Sequence, residues 1–233
     1  MNTNKSPILI CGPVTTGKTH TSLALARNLD CAIINLDNNF SCKKMVTGED
    51  LEDFPLEKTA LFQFLEPCED PLSPHDYLER VKREVFRFNK LELRSIIHGN
   101  TPSYAFEAMK TVSDKLTFAM CIRDRVKLLE RCEKRVSGFF NDDTILITKW
   151  AINQGFEDCF AFKTNFILTS MAKLVRKQKN KQFVFDEMVE TMLDVYDSQL
   201  QRYHDHKDLQ WIEFDPHNPL KAEQHIKEVI LSD

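Results

Sequence analysis

Apolar and polar residues follow two rhythms along the first half of the chain. Unbroken apolar runs of strand length occur at Ile8-Leu9-Ile10-Cys11, at Ala32-Ile33-Ile34-Asn35-Leu36-Asp37, at Ala60-Leu61-Phe62-Gln63-Phe64-Leu65, from Leu93 to Ile97 and from Leu116 to Ile122. Between them lie stretches with apolar residues at helical spacing, Thr19 to Leu29 and Tyr77 to Asn89. The second of these is opened by Ser73-Pro74-His75-Asp76, a cap-type residue followed by proline and an acid in the first turn. Gly99-Asn100-Thr101-Pro102-Ser103 reads as a turn. Strands separated by helices imply parallel pairing with helices on both sides of the sheet.

After about Arg123 the pattern changes to helix after helix: Asp124 to Ser137, Asp143 to Asn153, Thr164 to Lys179 and Phe183 to Tyr203. Leu209 to Asp215 reads as a late strand, and Pro219 to Leu231 as a closing helix. The basic run Arg176 to Lys181 reads as a solvated helix end and turn. The expectation is a single domain over residues 1–233, with an α/β core over about 1–123 and a helix-rich part over about 124–233.

Composition narrows this picture. The chain has 233 residues, 42% hydrophobic and 28% charged, as expected of a soluble globular protein. A net charge of −4 gives no electrostatic footprint for nucleic acid. No apolar run approaches the ~20 residues that cross a bilayer, and the polar Met1 to Lys5 leads straight into the first strand, so no signal or transit peptide is expected. Seven cysteines, widely spaced and without a C-x-x-C pair, argue against a disulfide framework and a zinc site and for a reducing, cytoplasmic setting. Cys11, Cys31 and Cys121 sit inside apolar runs as small core residues. Oligomeric state is not written in the sequence; a monomer is the working expectation.

The chemistry begins at Gly12-Pro13-Val14-Thr15-Thr16-Gly17-Lys18-Thr19, a G-x-x-x-x-G-K-[ST] loop between a strand and a helix. Glycines let backbone N–H groups turn inward around an anion, and the helix N-terminus adds its partial positive charge. Lys18 reaches outer phosphate oxygens in such a loop, and the Thr19 hydroxyl takes one position on Mg²⁺. The expected fold is therefore a P-loop NTPase-like parallel sheet flanked by helices, with a mostly helical C-terminal half.

Three readings are open at this point: an NTPase, a small-molecule or nucleoside kinase using ATP, and an enzyme that grips a diphosphate as leaving group. An NTPase needs a second strand ending in a carboxylate, whereas the run Leu93 to Ile97 ends in His98-Gly99-Asn100. A kinase remains open, with Asp37 at a strand's carboxyl end to bind a hydroxyl and Arg123-Asp124-Arg125 to imitate an ATP-lid arginine pair. Tyr203-His204-Asp205-His206 invites a metal, but the i, i+2 spacing keeps the two histidines off one helix face.

The Gly-Pro loop, followed by a strand ending Leu36-Asp37 and then by Thr47-Gly48, resembles the isopentenyltransferases, especially the short enzymes that prenylate adenosine nucleotides to make cytokinins. Gly99 to Tyr104 resembles that family's Gly-Gly-Ser/Thr turn and nearby tyrosine, and Glu133-Lys134-Arg135-Val136 its arginine-bearing helix. The likeness runs over roughly residues 7–136. The chain departs from the family pattern at Val14 (commonly threonine), Asn38 (often arginine), Glu49 (commonly a small hydroxyl residue) and Asn100 (glycine).

This resemblance implies transfer of a prenyl group from dimethylallyl diphosphate to the N6 amine of an adenine nucleotide, with AMP the expected acceptor over ADP and ATP. It implies that Gly12, Pro13, Val14, Thr15, Thr16, Gly17, Lys18, Thr19 and Arg135 hold the diphosphate, with Mg²⁺ on Thr19. Asp37 is then the catalytic base, assisted by Lys18 and Arg135. Asp37, Thr47, Glu49, Asn100, Thr101 and Asp158 are the acceptor-side candidates. The related tRNA prenyltransferases are expected to be longer, with a helical insertion that grips RNA, so nucleic acid is not the expected partner.

Overall fold

The structure is a computed structural model that describes residues 6–45, 56–112, 116–207 and 209–232. The first part runs β1 (Ile8–Cys11), α1 (Lys18–Leu29), β2 (Ala32–Asn35), α2 (Asn38–Ser41), a 3-10 turn (Leu56–Lys58), β3 (Thr59–Ala60), α3 (Pro74–Lys90), β4 (Ser95–His98), α4 (Pro102–Thr111) and β5 (Thr117–Cys121). Then follow α5 (Arg125–Phe139), α6 (Asp142–Asn153), a 3-10 turn (Phe156–Asp158), α7 (Phe160–Thr164), α8 (Phe166–Val175), α9 (Lys181–His204), β6 (Gln210–Glu213) and α10 (Leu220–Ser232). The strands form one sheet in the order β3-β2-β4-β1-β5-β6, every pair parallel. The late strand thus joins the same sheet, with Ile212 opposite Met120.

Alternation along each strand divides the core in two. Ile8, Ile10, Ile33, Ile96, Phe118 and Met120 pack on one side with residues of α1, α5, α9 and α10. Leu9, Cys11, Ala32, Ile34, Ile97 and Ala119 pack on the other with α3 and α4. Burial on both faces is why these strands read as unbroken apolar runs. A third cluster joins Ala151 of α6, Phe162 of α7, and Leu168 and Ala172 of α8 to Cys42 and Met45.

The structure departs from the sequence expectation in three places. The run from Ala60 to Leu65 extends only over Thr59–Ala60, because Leu61 and Gln63 take left-handed φ values of 63° and 47°. The chain there turns to follow α2: Gln63 N–H donates to the Phe40 carbonyl at 2.7 Å and Leu65 N–H to that of Ser41 at 2.9 Å. The helix expected over Thr164 to Lys179 is two helices, α7 and α8, because Asn165 leaves the helical conformation and its side chain accepts from the N–H groups of Ile167 and Leu168. Cys68 and Cys159 form a disulfide across 91 residues, contrary to the expectation from cysteine count and spacing; Cys11, Cys31, Cys42, Cys121 and Cys132 are free and buried.

Among the described residues no helix is long and apolar enough to cross a membrane.

Candidate active site

The phosphate loop forms where β1 ends against β5. Gly12 has φ 126°, and a Cβ there would lie 2.3 Å from the Met120 carbonyl oxygen, so only glycine passes. Gly17 has φ 76°, and its Cβ would lie 2.4 Å from the Phe214 ring. Gly17 occupies the N-cap of α1 and brings no side chain to cover the helix's first N–H groups, which is the arrangement that receives an anion. Thr15, between the two glycines, holds φ 74°, a left-handed conformation that costs a β-branched residue about 1–2 kcal/mol.

Hydrogen bonds hold the strained loop in place. The Thr16 hydroxyl donates to the Pro13 carbonyl at 2.9 Å, and Lys18 Nζ donates to the same carbonyl at 2.5 Å and to Thr16 Oγ1 at 3.3 Å. Val14 N–H, on the other side of that peptide, donates to Gln199 Oε1 of α9 at 2.8 Å.

Asp37 follows β2 at the carboxyl edge of the sheet and is 5% exposed. Its position is fixed through its backbone. Asp37 N–H donates to Asn35 Oδ1 at 2.8 Å, while its carbonyl accepts from Asn35 Nδ2 at 2.8 Å and from the Ser41 hydroxyl at 3.0 Å. Tyr77 closes this buried network through Asn35 and Ser41. Burial raises the Tyr77 phenol far above its usual range, with the Asp37 charge adding to the shift, so it acts as a neutral hydrogen-bonding group.

A cleft of about 890 Å³ connects these parts, lined by Val14, Thr15, Gly17, Lys18 and Thr19 of the loop region, by Asp37, His98 and Asn100, and by residues of α5 and α6. The α5 helix buries Leu128, Cys132, Val136 and Phe139 and turns Arg131, Lys134, Arg135 and Gly138 to the cleft. Four cations, Lys18, Arg131, Lys134 and Arg135, therefore face a space in which Asp37 and Asp143 are the carboxylates. A smaller pocket of about 50 Å³ shares Val14, Asp37, Phe40, Asn100, Arg135 and Phe139 and continues between Phe166, Ile167 and Met192. Its apolar walls adjoin both the Asp37 carboxylate and the Arg135 guanidinium.

His98 lines the cleft, 2% exposed. Burial, reinforced by the Lys18 charge, pushes its pKa down to about 3, from an ordinary value of about 6.5. The folded imidazole therefore stays neutral where the unfolded one takes up a proton, and stability falls as pH drops from about 6.5 towards 3. A His98→Asn variant is expected to lose less stability than the wild type between pH 6.5 and 4.5, the difference approaching about 1.4 kcal/mol per pH unit. Urea unfolding at several pH values measures it.

The structure thus gathers Lys18, Thr19, Asp37, Asn100 and Arg135 around one space. Thr101, at the N-cap of α4, is half-buried and does not line that cleft. Asp158 is not brought there either: its side chain is 97% exposed and pairs with Lys163 at 3.0 Å. Thr47 and Glu49 lie outside the described residues. Arg125, weighed as part of an ATP lid, is held by Asp197 through two bonds of 2.6 and 2.7 Å. His204 and His206 stack on Trp211 and Phe106, and among the described residues no group of three or more metal-ligating side chains occurs.

Sequence reasoning passed over Arg131 and Lys134 as site residues, although with Arg135 and Gly138 they recur at i, i+3, i+4 and i+7, the signature of one helix face. Gln199 and Phe214 carried no local signal, since each meets the loop only through the tertiary fold.

A parallel sheet with a glycine-turned loop entering a helix, and cations converging on that helix's first turn, defines a phosphate-binding α/β protein of P-loop type. Residues 6–143 match the isopentenyl transferase family. The chain belongs to that family of prenyltransferases, which leaves the kinase alternative without support.

No curated protein matches the chain by sequence. Among solved structures it is similar to a tRNA delta(2)-isopentenylpyrophosphate transferase from Staphylococcus epidermidis, with a TM-score of 0.81 and 15% identity over 98% of this chain and 100% of that one. It is also similar to the tRNA isopentenylpyrophosphate transferase of Bacillus halodurans, with a TM-score of 0.78 and 16% identity over 97% of each chain. A eukaryotic dimethylallyltransferase acting on tRNA has a TM-score of 0.68 and 10% identity over 97% of this chain and 78% of that one. These likenesses are of fold.

Proposed function

We propose that the protein transfers a dimethylallyl group from dimethylallyl diphosphate to the exocyclic N6 amine of an adenine nucleotide, AMP foremost, releasing diphosphate. The observation that carries this reading is the placement of a buried carboxylate, Asp37, on a cleft it shares with Lys18 and Arg135, with a largely apolar pocket opening beside Asp37 and Arg135. The loop amides, Thr15, Lys18 and Arg135 stabilise the charge that builds on the departing diphosphate, while the buried Thr16, whose hydroxyl donates to the Pro13 carbonyl, supports the loop from behind. The five-carbon group rests among Phe40, Phe139, Phe166, Ile167 and Met192. As the carbon–oxygen bond to diphosphate breaks, the N6 nitrogen bonds to the same carbon, and its proton passes to Asp37. The Asp37 carboxylate also orients an amine whose lone pair is otherwise drawn into the ring.

Thr19 lines the cleft directly after Lys18, at the start of α1, so its hydroxyl fits as one ligand of Mg²⁺, the donor's diphosphate oxygens supplying others. When bound, the ion adds positive charge beside the leaving group.

The acceptor has a second reading: an adenine within tRNA, favoured by the fold neighbours that act on tRNA. The negative net charge favours the free nucleotide. One assay separates them. Purified protein is incubated with Mg²⁺, dimethylallyl diphosphate, a mixture of AMP, ADP and ATP, and tRNA lacking the modification, and both pools are read by mass spectrometry. Prenylated AMP is the expected product. Prenyl groups on tRNA alone would replace the acceptor assignment, and none in either pool would overturn the proposal.

A further inference from the structure

One face of α9 touches the carboxyl ends of three neighbouring strands. Tyr196 donates its hydroxyl to the Ile122 carbonyl at 2.7 Å and accepts from Ile122 N–H at 2.8 Å, beyond β5. Gln199 accepts from Val14 N–H at 2.8 Å, in the loop after β1. Tyr203 donates to the Asn100 carbonyl at 3.4 Å, in the turn after β4. These positions recur at i, i+3 and i+7, so a single stripe of α9 crosses the segments that follow β5, β1 and β4.

Tyr203 also meets the start of the phosphate loop at the Gly12 backbone, but Gln199 is the member of this stripe that meets the peptide next to the strained residue. The peptide between Pro13 and Val14 is held at both ends, its carbonyl by Thr16 and Lys18 and its N–H by Gln199. Proline fixes its own φ and has no N–H of its own. Thr15 follows at once with φ 74°. Without an acceptor for Val14 N–H this peptide keeps only its carbonyl anchors, which weakens the restraint on the left-handed φ of Thr15 and on the direction of the amides that follow it.

We propose that Gln199 is a positioning residue for the donor diphosphate: by taking the Val14 amide it holds Thr15 in its left-handed conformation and keeps the loop preorganised. The inference rests on the reading that this loop holds the diphosphate.

The test measures binding of inorganic diphosphate with Mg²⁺ by calorimetry, alongside kcat and KM for dimethylallyl diphosphate and the acceptor. Gln199→Leu and the unbranched Gln199→Met both remove the acceptor atom from a half-buried surface position. Each is expected to weaken diphosphate binding and raise the donor KM about tenfold, with the acceptor KM and the melting temperature near the wild-type values. In a Thr15→Gly background, where positive φ needs no support, Gln199→Leu is expected to change donor binding by less than about twofold. A role of Gln199 in helix packing alone would give the same loss in both backgrounds and overturns the proposal, as does unchanged diphosphate binding in the single variants. Failure of the wild type to bind diphosphate would remove the loop reading itself.

Discussion

Replacing Asp37 by asparagine is expected to lower kcat about 10²–10⁴-fold while leaving donor binding in place. Asparagine keeps the shape and can still accept a hydrogen bond from N6, but it cannot take the amine's proton. The loop around position 37 is anchored by backbone groups to Asn35 and Ser41, so the substitution removes the charge without removing the support. Steady-state kinetics with diphosphate binding measured on the same preparation check the result. A variant within tenfold of wild type would take the base role from Asp37.

Lys18→Ala is expected to lower kcat/KM by about 10²–10³-fold, the scale of losing one preorganised charge at a developing anion. Thr16 still holds the Pro13 carbonyl at 2.9 Å in that variant, which keeps one of the loop's internal bonds. The loss should therefore appear in diphosphate binding and turnover, with a melting temperature close to wild type. Unchanged turnover would show that the cations of α5 carry the leaving group's charge without Lys18.

Most of the sheet was readable in advance for a physical reason: strands covered on both faces have no polar side to obscure the run, and β1, β2, β4 and β5 are such strands. The short β3 was overestimated because Leu61 and Gln63 turn left-handed through contacts with α2, and neither residue type announces positive φ. The break at Asn165 carried a signal, a cap-type residue before an apolar helical stretch, but unbroken helical periodicity outweighed it. The Cys68–Cys159 pairing could not be read from spacing, since pairing follows proximity in space. At the site, the loop and Asp37 were legible because local backbone geometry places them at the ends of consecutive strands. The acceptor candidates were not equally so: Asp158 depended on an alignment across the helical half, and the fold points it to solvent.

The backing of Gly12 by the Met120 carbonyl and of Gly17 by the Phe214 ring has a consequence for how this enzyme can diverge. The donor grip is pressed against the sheet and a core aromatic, so its shape cannot drift without disturbing the fold. At the opposite wall, the start of α6, the side chains of Asn141, Asp143 and Leu146 are exposed. Substitutions at these exposed positions can accumulate without disturbing the loop that Met120 and Phe214 back.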